Sequence, residues 1–218
     1  MQVNTISTHR RRPTRSLATR RLAGFSLVEV LVSMVILSIG LLGIGGLQAG
    51  VARYKVNSWA RAALSGLYSD FADRVRMNTD VAGANFITGV PGASQYVLNS
   101  TWAAQQGATP ATPSPNCETT VCTTAERATY DMAVWRQLIR SKLPQGAALV
   151  SGDRRDSFQV TLMWFDKGMT DKGENVGSVL VPSETCTATM TGMARQSCCP
   201  AAASAPAGVR CANFTFIP

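Results

Sequence analysis

The feature that most constrains this chain is a run of apolar residues close to its N-terminus. Residues 30–47 carry no charge, and between Arg21 and Arg53 the only ionisable side chain is that of Glu29. An apolar stretch of about 20 residues is long enough to cross a bilayer as a helix. The run therefore predicts a membrane-spanning helix, and it leaves the residues after about Ala52 to form a separate domain.

A basic segment precedes the apolar run. Residues 1–24 contain six arginines and no acidic residue, and Gly24 is followed directly by Phe25. A secretory signal peptide has its apolar region before the cleavage site and loses that region on processing. A cut between Gly24 and Phe25 would instead keep the helix in the mature protein. Because Gly-Phe is also an ordinary pair beside a membrane helix, these residues alone leave an uncut leader open.

The net charge of +8 is concentrated in that leader. Without its six arginines, 15 of the 21 basic residues remain against 13 acidic ones, so the processed chain carries about +2. A basic balance that disappears on processing is weak evidence for binding nucleic acid, and we do not expect nucleic acid as a partner. The positive-inside rule predicts a cytoplasmic leader and an extracytoplasmic domain after the helix.

Glu29 is the unusual residue of the predicted span. A carboxylate inside a spanning helix costs about 3 kcal/mol unless it has a partner or lies near the interface. Glu29 lies only four residues beyond the predicted cut, so it could reside among the lipid headgroups. The alternative is that it has a partner outside its own helix: a chain terminus, a lipid or another chain.

Periodicity predicts two helices and a small sheet. One helix covers residues 25–79, with an amphipathic second half, and another begins at a Thr123–Glu126 capping box and ends at Pro144 and Gly146. Strands are predicted at 158–165, 176–181 and 213–217, with a weaker candidate at 185–190, and the stretches 78–115 and 191–208 are predicted as loops. The fold class is therefore α+β: a long N-terminal helix packed by its second half on a small antiparallel sheet, with an extra short helix.

The predicted domain organisation follows from these elements. It comprises a basic leader, a transmembrane helix, an amphipathic half-helix and an extracytoplasmic α+β head, at residues 1–24, 25–52, 53–79 and 80–218.

All six cysteines lie in the predicted head. An even number of cysteines outside the cytoplasm indicates up to three disulfides, with four-thiolate metal binding as the weaker alternative. A bond between the first two would close a small loop, and the order in which the other four pair is left open. The six are Cys117, Cys122, Cys186, Cys198, Cys199 and Cys211.

Gly24, Phe25, Glu29 and the uncharged helix together resemble the prepilin leader of type IV pilins and secretion pseudopilins. The resemblance implies cleavage after Gly24 by a prepilin peptidase, N-methylation of Phe25, and a role for Glu29 in subunit assembly. It also implies an inner-membrane precursor that joins other major and minor pilins in a surface filament.

Three further segments resemble the PilV-type minor pilins, also called type IV pilus modification proteins. The segments are Asp73-Arg74-Val75-Arg76-Met77-Asn78, the helix stop from Trp135 to Gly146, and Val160-Thr161-Leu162-Met163-Trp164. Leu162 stands where the family's strand pattern has a valine. These residues are also what core packing and helix termination require.

Five glycines interrupt the apolar helix, at 40, 43, 45, 46 and 50. Each costs about 1 kcal/mol relative to alanine in a helix interior. Close helix packing through Gly46-x-x-x-Gly50 and local unwinding during assembly are both open explanations.

Enzymatic activity is not expected. The only histidine, His9, lies in the leader, and the chain has neither a phosphate-binding glycine loop nor a dinucleotide fingerprint. No catalytic residue, resident metal, cofactor or small-molecule substrate is predicted.

The sequence therefore predicts a minor pilin with expected roles in pilus assembly, adhesion or motility. The alternatives are a type II secretion pseudopilin, a pilus-tip adhesin or DNA-uptake module with basic patches at Arg154-Arg155 or Arg195, and a membrane protein whose leader is never cut.

Overall fold

The computed structural model describes residues 24–83, 94–170 and 179–218. The predicted leader, except Gly24, lies outside the described residues. The chain divides into two compact units, one up to Gln48 and one from Ala49 onward. The helices are α1 (Leu27–Met77), α2 (Trp102–Gly107), α3 (Thr124–Lys142) and α4 (Gly192–Ser197), and the strands are β1 (Ala147–Asp153), β2 (Ser157–Phe165) and β3 (Val209–Phe216).

Helix α1 confirms the long N-terminal helix, and its ends lie within two residues of the predicted ones. Its segment Leu27–Ala52 is long and apolar enough to cross a membrane. Every residue from Gly24 to Gln48 is exposed in the isolated chain. An apolar helix left uncovered by the described residues is suited to contact with lipid or with other subunits.

The second unit is built around a three-stranded antiparallel sheet with strand order β1-β2-β3. The second half of α1 and the apolar face of α3 cover one face of this sheet. Phe71 is at the centre of that core, with ring centroids 4.5 Å from Trp135 and 6.3 Å from Phe158. The α+β prediction is thus confirmed.

A second, smaller core lies on the opposite face of the sheet. Trp102 of α2 packs there with Leu149, Met163 and Val209, beside the bond between Cys199 and Cys211. Because this second layer covers the other face of the sheet, β1 could not be predicted from the sequence. Its first four residues are all buried, so the sequence Ala-Ala-Leu-Val shows no alternation of apolar and polar side chains.

Several predicted boundaries need correction. Strand β3 begins at Val209, four residues before the predicted start. The prediction missed these residues because arginine and cysteine make the alternation of apolar and polar side chains hard to recognise there. The weaker candidate at 185–190 is not a strand, since only Thr185 forms a single bridge, to Cys199. Most of the predicted strand at 176–181 lies outside the described residues, and Leu180 forms one isolated bridge with Thr170.

Two stretches predicted as loops contain short helices. Helix α2 lies within 78–115, and its N-terminus is capped by the Thr101 side chain, which accepts a hydrogen bond from the amide of Ala104. Helix α4 lies within 191–208. Helices of six residues carry too little periodicity to be distinguished from loops in a sequence.

Candidate functional site

The N-terminal end of α1 carries the residues predicted for processing and assembly. Gly24, Phe25 and Ser26 precede the helix, and the Phe25 side chain is 83% exposed. Glu29 lies in the first helical turn, where the helix dipole favours a negative charge. The peptide bond between Gly24 and Phe25 is therefore in non-helical, exposed backbone.

Other polar side chains near Glu29 are satisfied within the helix. Ser33 donates its hydroxyl to the Glu29 carbonyl at 2.7 Å, and Ser38 donates to the Met34 carbonyl at 2.6 Å. Such bonds hide hydroxyls that would otherwise be unpaired in lipid. Among the described residues no ion pair involves the Glu29 carboxylate.

The five glycines lie within unbroken helix in this structure. A Cβ atom added at any of them would meet nothing within 4 Å. Among the described residues nothing packs against these glycines, and both packing against another helix and unwinding remain hypotheses.

At the other end of α1, the segment 73–78 forms a polar network with the head. Arg74 binds Asp70 at 2.8 Å and Asp131 of α3 at 3.1 Å. The Tyr96 hydroxyl donates to Asp131 at 3.1 Å. Asn78 donates its amide to the Tyr96 oxygen at 3.0 Å and to the Thr124 carbonyl at 2.8 Å. The motif thus joins the end of α1 to the beginning and middle of α3.

The charges in this network support one another. Partial burial opposes ionisation of Arg74, but the two aspartates outweigh it and raise the pKa of the guanidinium. Burial is also the main reason that the pKa of the Tyr96 phenol is raised, assisted by Asp131 and opposed by the hydrogen bond from Asn78. Both groups therefore keep their protons at physiological pH, and the hydrogen bonds of the network are maintained there.

Sequence reasoning missed Asp131 and Tyr96. A signal for Asp131 was present, because this carboxylate lies on the buried face of α3 between Ala128 and Trp135. A charge on a buried face needs a partner, and the arginines of α1 were the available ones. Tyr96 follows a stretch outside the described residues, and no local pattern distinguishes it.

Trp135 and Trp164 are core residues, and the helix stop ends α3. These are the roles that core packing and helix termination require. Trp135 is fully buried and donates its indole N–H to the Leu67 carbonyl at 2.9 Å. At the end of α3, the Pro144 carbonyl accepts the Phe165 amide at 2.9 Å, which joins the helix stop to β2. Gly146 passes so close to Ile139 that a Cβ would lie 2.5 Å from the carbonyl oxygen.

The structure joins the six cysteines in three disulfides. Cys117 pairs with Cys122, closing the small loop before α3. The pairing that the sequence left open is Cys186 with Cys198 and Cys199 with Cys211. These two bonds attach the irregular segment around α4 to strand β3 and to the loop at residue 186.

The arginines considered for nucleic-acid binding lie on separate elements. Arg154 and the exposed Arg155 are in the turn between β1 and β2, whereas Arg195 is exposed on α4. No single element collects the three side chains.

Comparisons with known proteins bear on the N-terminal segment. The family model of the prokaryotic N-terminal methylation motif matches residues 19–45. No curated protein and no solved structure matches the chain. The matched segment contains Gly24, Phe25 and Glu29 and ends within the apolar half of α1.

This match, with the apolar helix and the α+β head, supports a type IV pilin-like protein in pilus or secretion-related assembly. It supports membrane anchoring with display on a surface pilus. It also implies processing by a prepilin peptidase and assembly with other pilins, and in its N-terminal segment the chain is similar to pilin-like proteins.

Proposed function

We propose that the protein is a minor pilin of the PilV type, a low-copy subunit that takes part in assembling or modifying a type IV pilus. The methylation motif at residues 19–45 is the observation that carries the proposal. The six-residue network at the end of α1, which uses the motif segment 73–78, supports the finer assignment to the PilV type. The protein acts by self-association and not by catalysis.

The proposed mechanism begins with the membrane-held precursor. The arginine-rich leader stays in the cytoplasm, the apolar half of α1 spans the inner membrane once, and the head folds in the periplasm. Cleavage after Gly24 creates a new amine on Phe25, which is then methylated. The exposed apolar surface of residues 25–47 exchanges lipid for neighbouring helices when the subunit enters a filament.

Glu29 provides the electrostatic contribution to assembly. Within a bundle of apolar helices the dielectric constant is low, so a carboxylate and an amine attract each other strongly. Glu29 of one subunit and the Phe25 amine of its neighbour are opposite charges beside helix segments, residues 30–52, that carry no other charge. Pairing them favours a single axial register between adjacent subunits.

The intact mass of the protein isolated from sheared pili tests this proposal. We expect a chain that begins at Phe25 and carries one added methyl group. A mature chain that begins at Met1, or one cut after the apolar run, would contradict it.

A type II secretion pseudopilin is the second candidate, because the methylation motif serves both assemblies. The same measurement distinguishes the two: a pseudopilin would be processed identically but would be absent from sheared pili. Deletion of the gene would then reduce protein secretion and leave piliation unchanged.

A further inference from the structure

The two edge strands of the sheet, β1 and β3, differ in how far their outward backbone groups are hydrogen-bonded. On β1 the outward backbone groups belong to the even-numbered residues. Val150 exchanges both hydrogen bonds with Leu98, at 2.8 and 2.9 Å, and Ala148 exchanges two with the Gln105 side-chain amide, at 2.8 and 3.2 Å. The β1 edge is thus covered by the chain itself, as edges of soluble sheets usually are.

On β3 the outward groups belong to the odd-numbered residues. The Val209 carbonyl accepts the Ser183 hydroxyl at 2.6 Å, and the Thr215 carbonyl accepts the Tyr68 hydroxyl at 3.2 Å. Between these two bonds lie Cys211 and Asn213. Among the described residues nothing pairs with the backbone N–H or C=O of either one on this edge, nor with the N–H of Thr215.

A groove of about 440 Å³ runs along this open stretch of β3. Arg61 and Leu64 of α1 form one wall, and Met193 and Gln196 of α4 form the other. Met193 is 80% exposed although it is apolar. The groove therefore offers an apolar wall beside a row of unpaired backbone donors and acceptors.

Trp164 adds a second unsatisfied group to the same groove. Its side chain lines the groove and the residue is only 4% exposed, yet its indole N–H has no hydrogen-bond acceptor among the described residues. Buried donors are nearly always paired in folded proteins. The backbone groups of this open stretch of the strand edge and the indole N–H of Trp164 thus have no hydrogen-bond partner in the described part of the chain.

We propose that the open edge of β3 binds an extended segment of another pilus subunit, which adds a fourth strand to the sheet. Alternating N–H and C=O groups at strand spacing are matched by another extended backbone. Successive residues of a strand point to opposite faces, so the segment directs one apolar side chain toward Leu64 and the next one toward Met193 on the other wall. It also carries an acidic residue near Arg61, which has no ion pair among the described residues.

The choice of a different subunit rests on the proposed function. A low-copy subunit in a filament is surrounded mainly by other chains, so the available extended segments belong to those chains. Pairing with a second copy, or contact of the groove with lipid, is a distinct outcome of the test below.

In-cell photocrosslinking of the full-length protein tests the inference. A photoreactive amino acid replaces Gln196 in the groove, and the control probe replaces Val121, which is 98% exposed in the Cys117–Cys122 loop and does not line the groove. We expect crosslinks from position 196, but not from 121, to one extended segment of another subunit, identified by mass spectrometry of the joined peptides.

Two variants of the probe-bearing protein test the contacts. Thr215→Pro removes an outward N–H and leaves the bonds to β2 intact, and Thr215→Val is its matched control. Met193→Glu places a charge on the apolar wall, and Val121→Glu is its control. Each groove variant should lower crosslinking at least about fivefold, the effect of one lost hydrogen bond or its equivalent, and each control should retain it.

Met193→Glu keeps the test decisive if Thr215→Pro fails to fold, because it alters only an exposed side chain. Crosslinking to a second copy or to lipid, no crosslinking above the Val121 probe, or yields unaffected by both groove variants would overturn the inference. The amount of protein in sheared pili is measured in parallel, so failure of the proposed function is seen separately from failure of this docking site.

Discussion

At the scale of single residues, Glu29 is the side chain on which assembly is expected to depend. Replacing Glu29 with valine removes the charged group from an exposed apolar helix, so membrane insertion should be preserved or improved. Processing after Gly24 should also survive, because the bond lies outside the helix. Incorporation into filaments should fall about tenfold or more, since an unpaired amine of Phe25 would remain in the bundle.

The measurement compares the variant in the membrane fraction with the variant in sheared pili. Ser33→Ala, one helical turn away, is the matched control, because it removes a hydroxyl that is already bonded within the helix. Wild-type amounts of Glu29→Val in both fractions would mean that Glu29 is only an interfacial residue.

Tyr96 gives the head a dependence on alkaline pH. Its pKa is raised in the folded state, so its contribution to stability is complete below the unfolded pKa of 10.0 and is lost as the pH rises above that value. Tyr96→Phe should lower the free energy of unfolding at pH 7 by about 1–3 kcal/mol, because Asp131 and Asn78 lose a partner. The variant should also lose less stability than the wild type between pH 10 and about 12.

Denaturant unfolding of the detergent-solubilised protein at several pH values measures both effects. Identical slopes of stability against pH for the two proteins above pH 10 would show that Tyr96 is not the group responsible.

At the scale of elements, the end of α3 depends on the close approach of Gly146 to the helix. An added Cβ would lie 2.5 Å from the Ile139 carbonyl oxygen, so Gly146→Ala must shift the backbone of the helix stop. We expect a loss of about 1–3 kcal/mol in the free energy of unfolding. Gly66→Ala is the control: its Cβ would meet nothing within 4 Å in mid-helix, and it should stabilise the protein by about 0.5–1 kcal/mol.

Thermal unfolding of both variants, followed by circular dichroism, checks this contrast. A Gly146→Ala protein as stable as the wild type would show that the stop can relax without cost.

The start of α3 is stabilised by its capping box. The Thr123 hydroxyl accepts the Glu126 amide, while the Glu126 carboxylate accepts the Thr123 amide at 2.8 Å. The backbone hydrogen bond first, and then the side-chain one, lower the pKa of Glu126 below its ordinary value of 4.5. The contribution of this carboxylate to stability is therefore present above pH 4.5 and is lost as the pH falls through the pKa of the folded state. Thr123→Ala should reduce stability by about 1 kcal/mol at pH 7.

Urea unfolding at pH 7 measures that loss, and Thr129→Ala provides the control. The Thr129 hydroxyl bonds only to a carbonyl one turn earlier in the same helix. Equal losses in the two variants would contradict a specific role for the cap.

At the scale of the whole molecule, the disulfides hold the C-terminal part of the head together. Thiol alkylation of the periplasmic protein without reductant should label none of the six cysteines. Peptide mapping should return Cys117–Cys122, Cys186–Cys198 and Cys199–Cys211, with tandem mass spectra that distinguish the adjacent Cys198 and Cys199. Free thiols, or stoichiometric zinc that must be chelated before alkylation, would refute this arrangement.

Features that depend on neighbours along the chain could be predicted from the amino-acid sequence. Short local patterns predicted three elements: the apolar run from residue 30, the capping box at Thr123 and the alternation in β2. The structure confirms the corresponding helices and strand. Local patterns suffice there because helix periodicity, capping and strand alternation are themselves local. The cleavage site and the role of Glu29 come from the same local signals and stay predictions.

Features that depend on contacts between distant residues became visible in the three-dimensional structure. It showed β1, whose first four residues are buried on both faces and so lack alternation, and it gave the pairing of the last four cysteines. It also brought Arg74 to Asp131, 57 residues later in the chain. It showed the edge of β1 covered, while part of the β3 edge has no backbone partner among the described residues. Pairings of this kind arise from packing in three dimensions, because no pattern within one segment records which distant segment will lie against it.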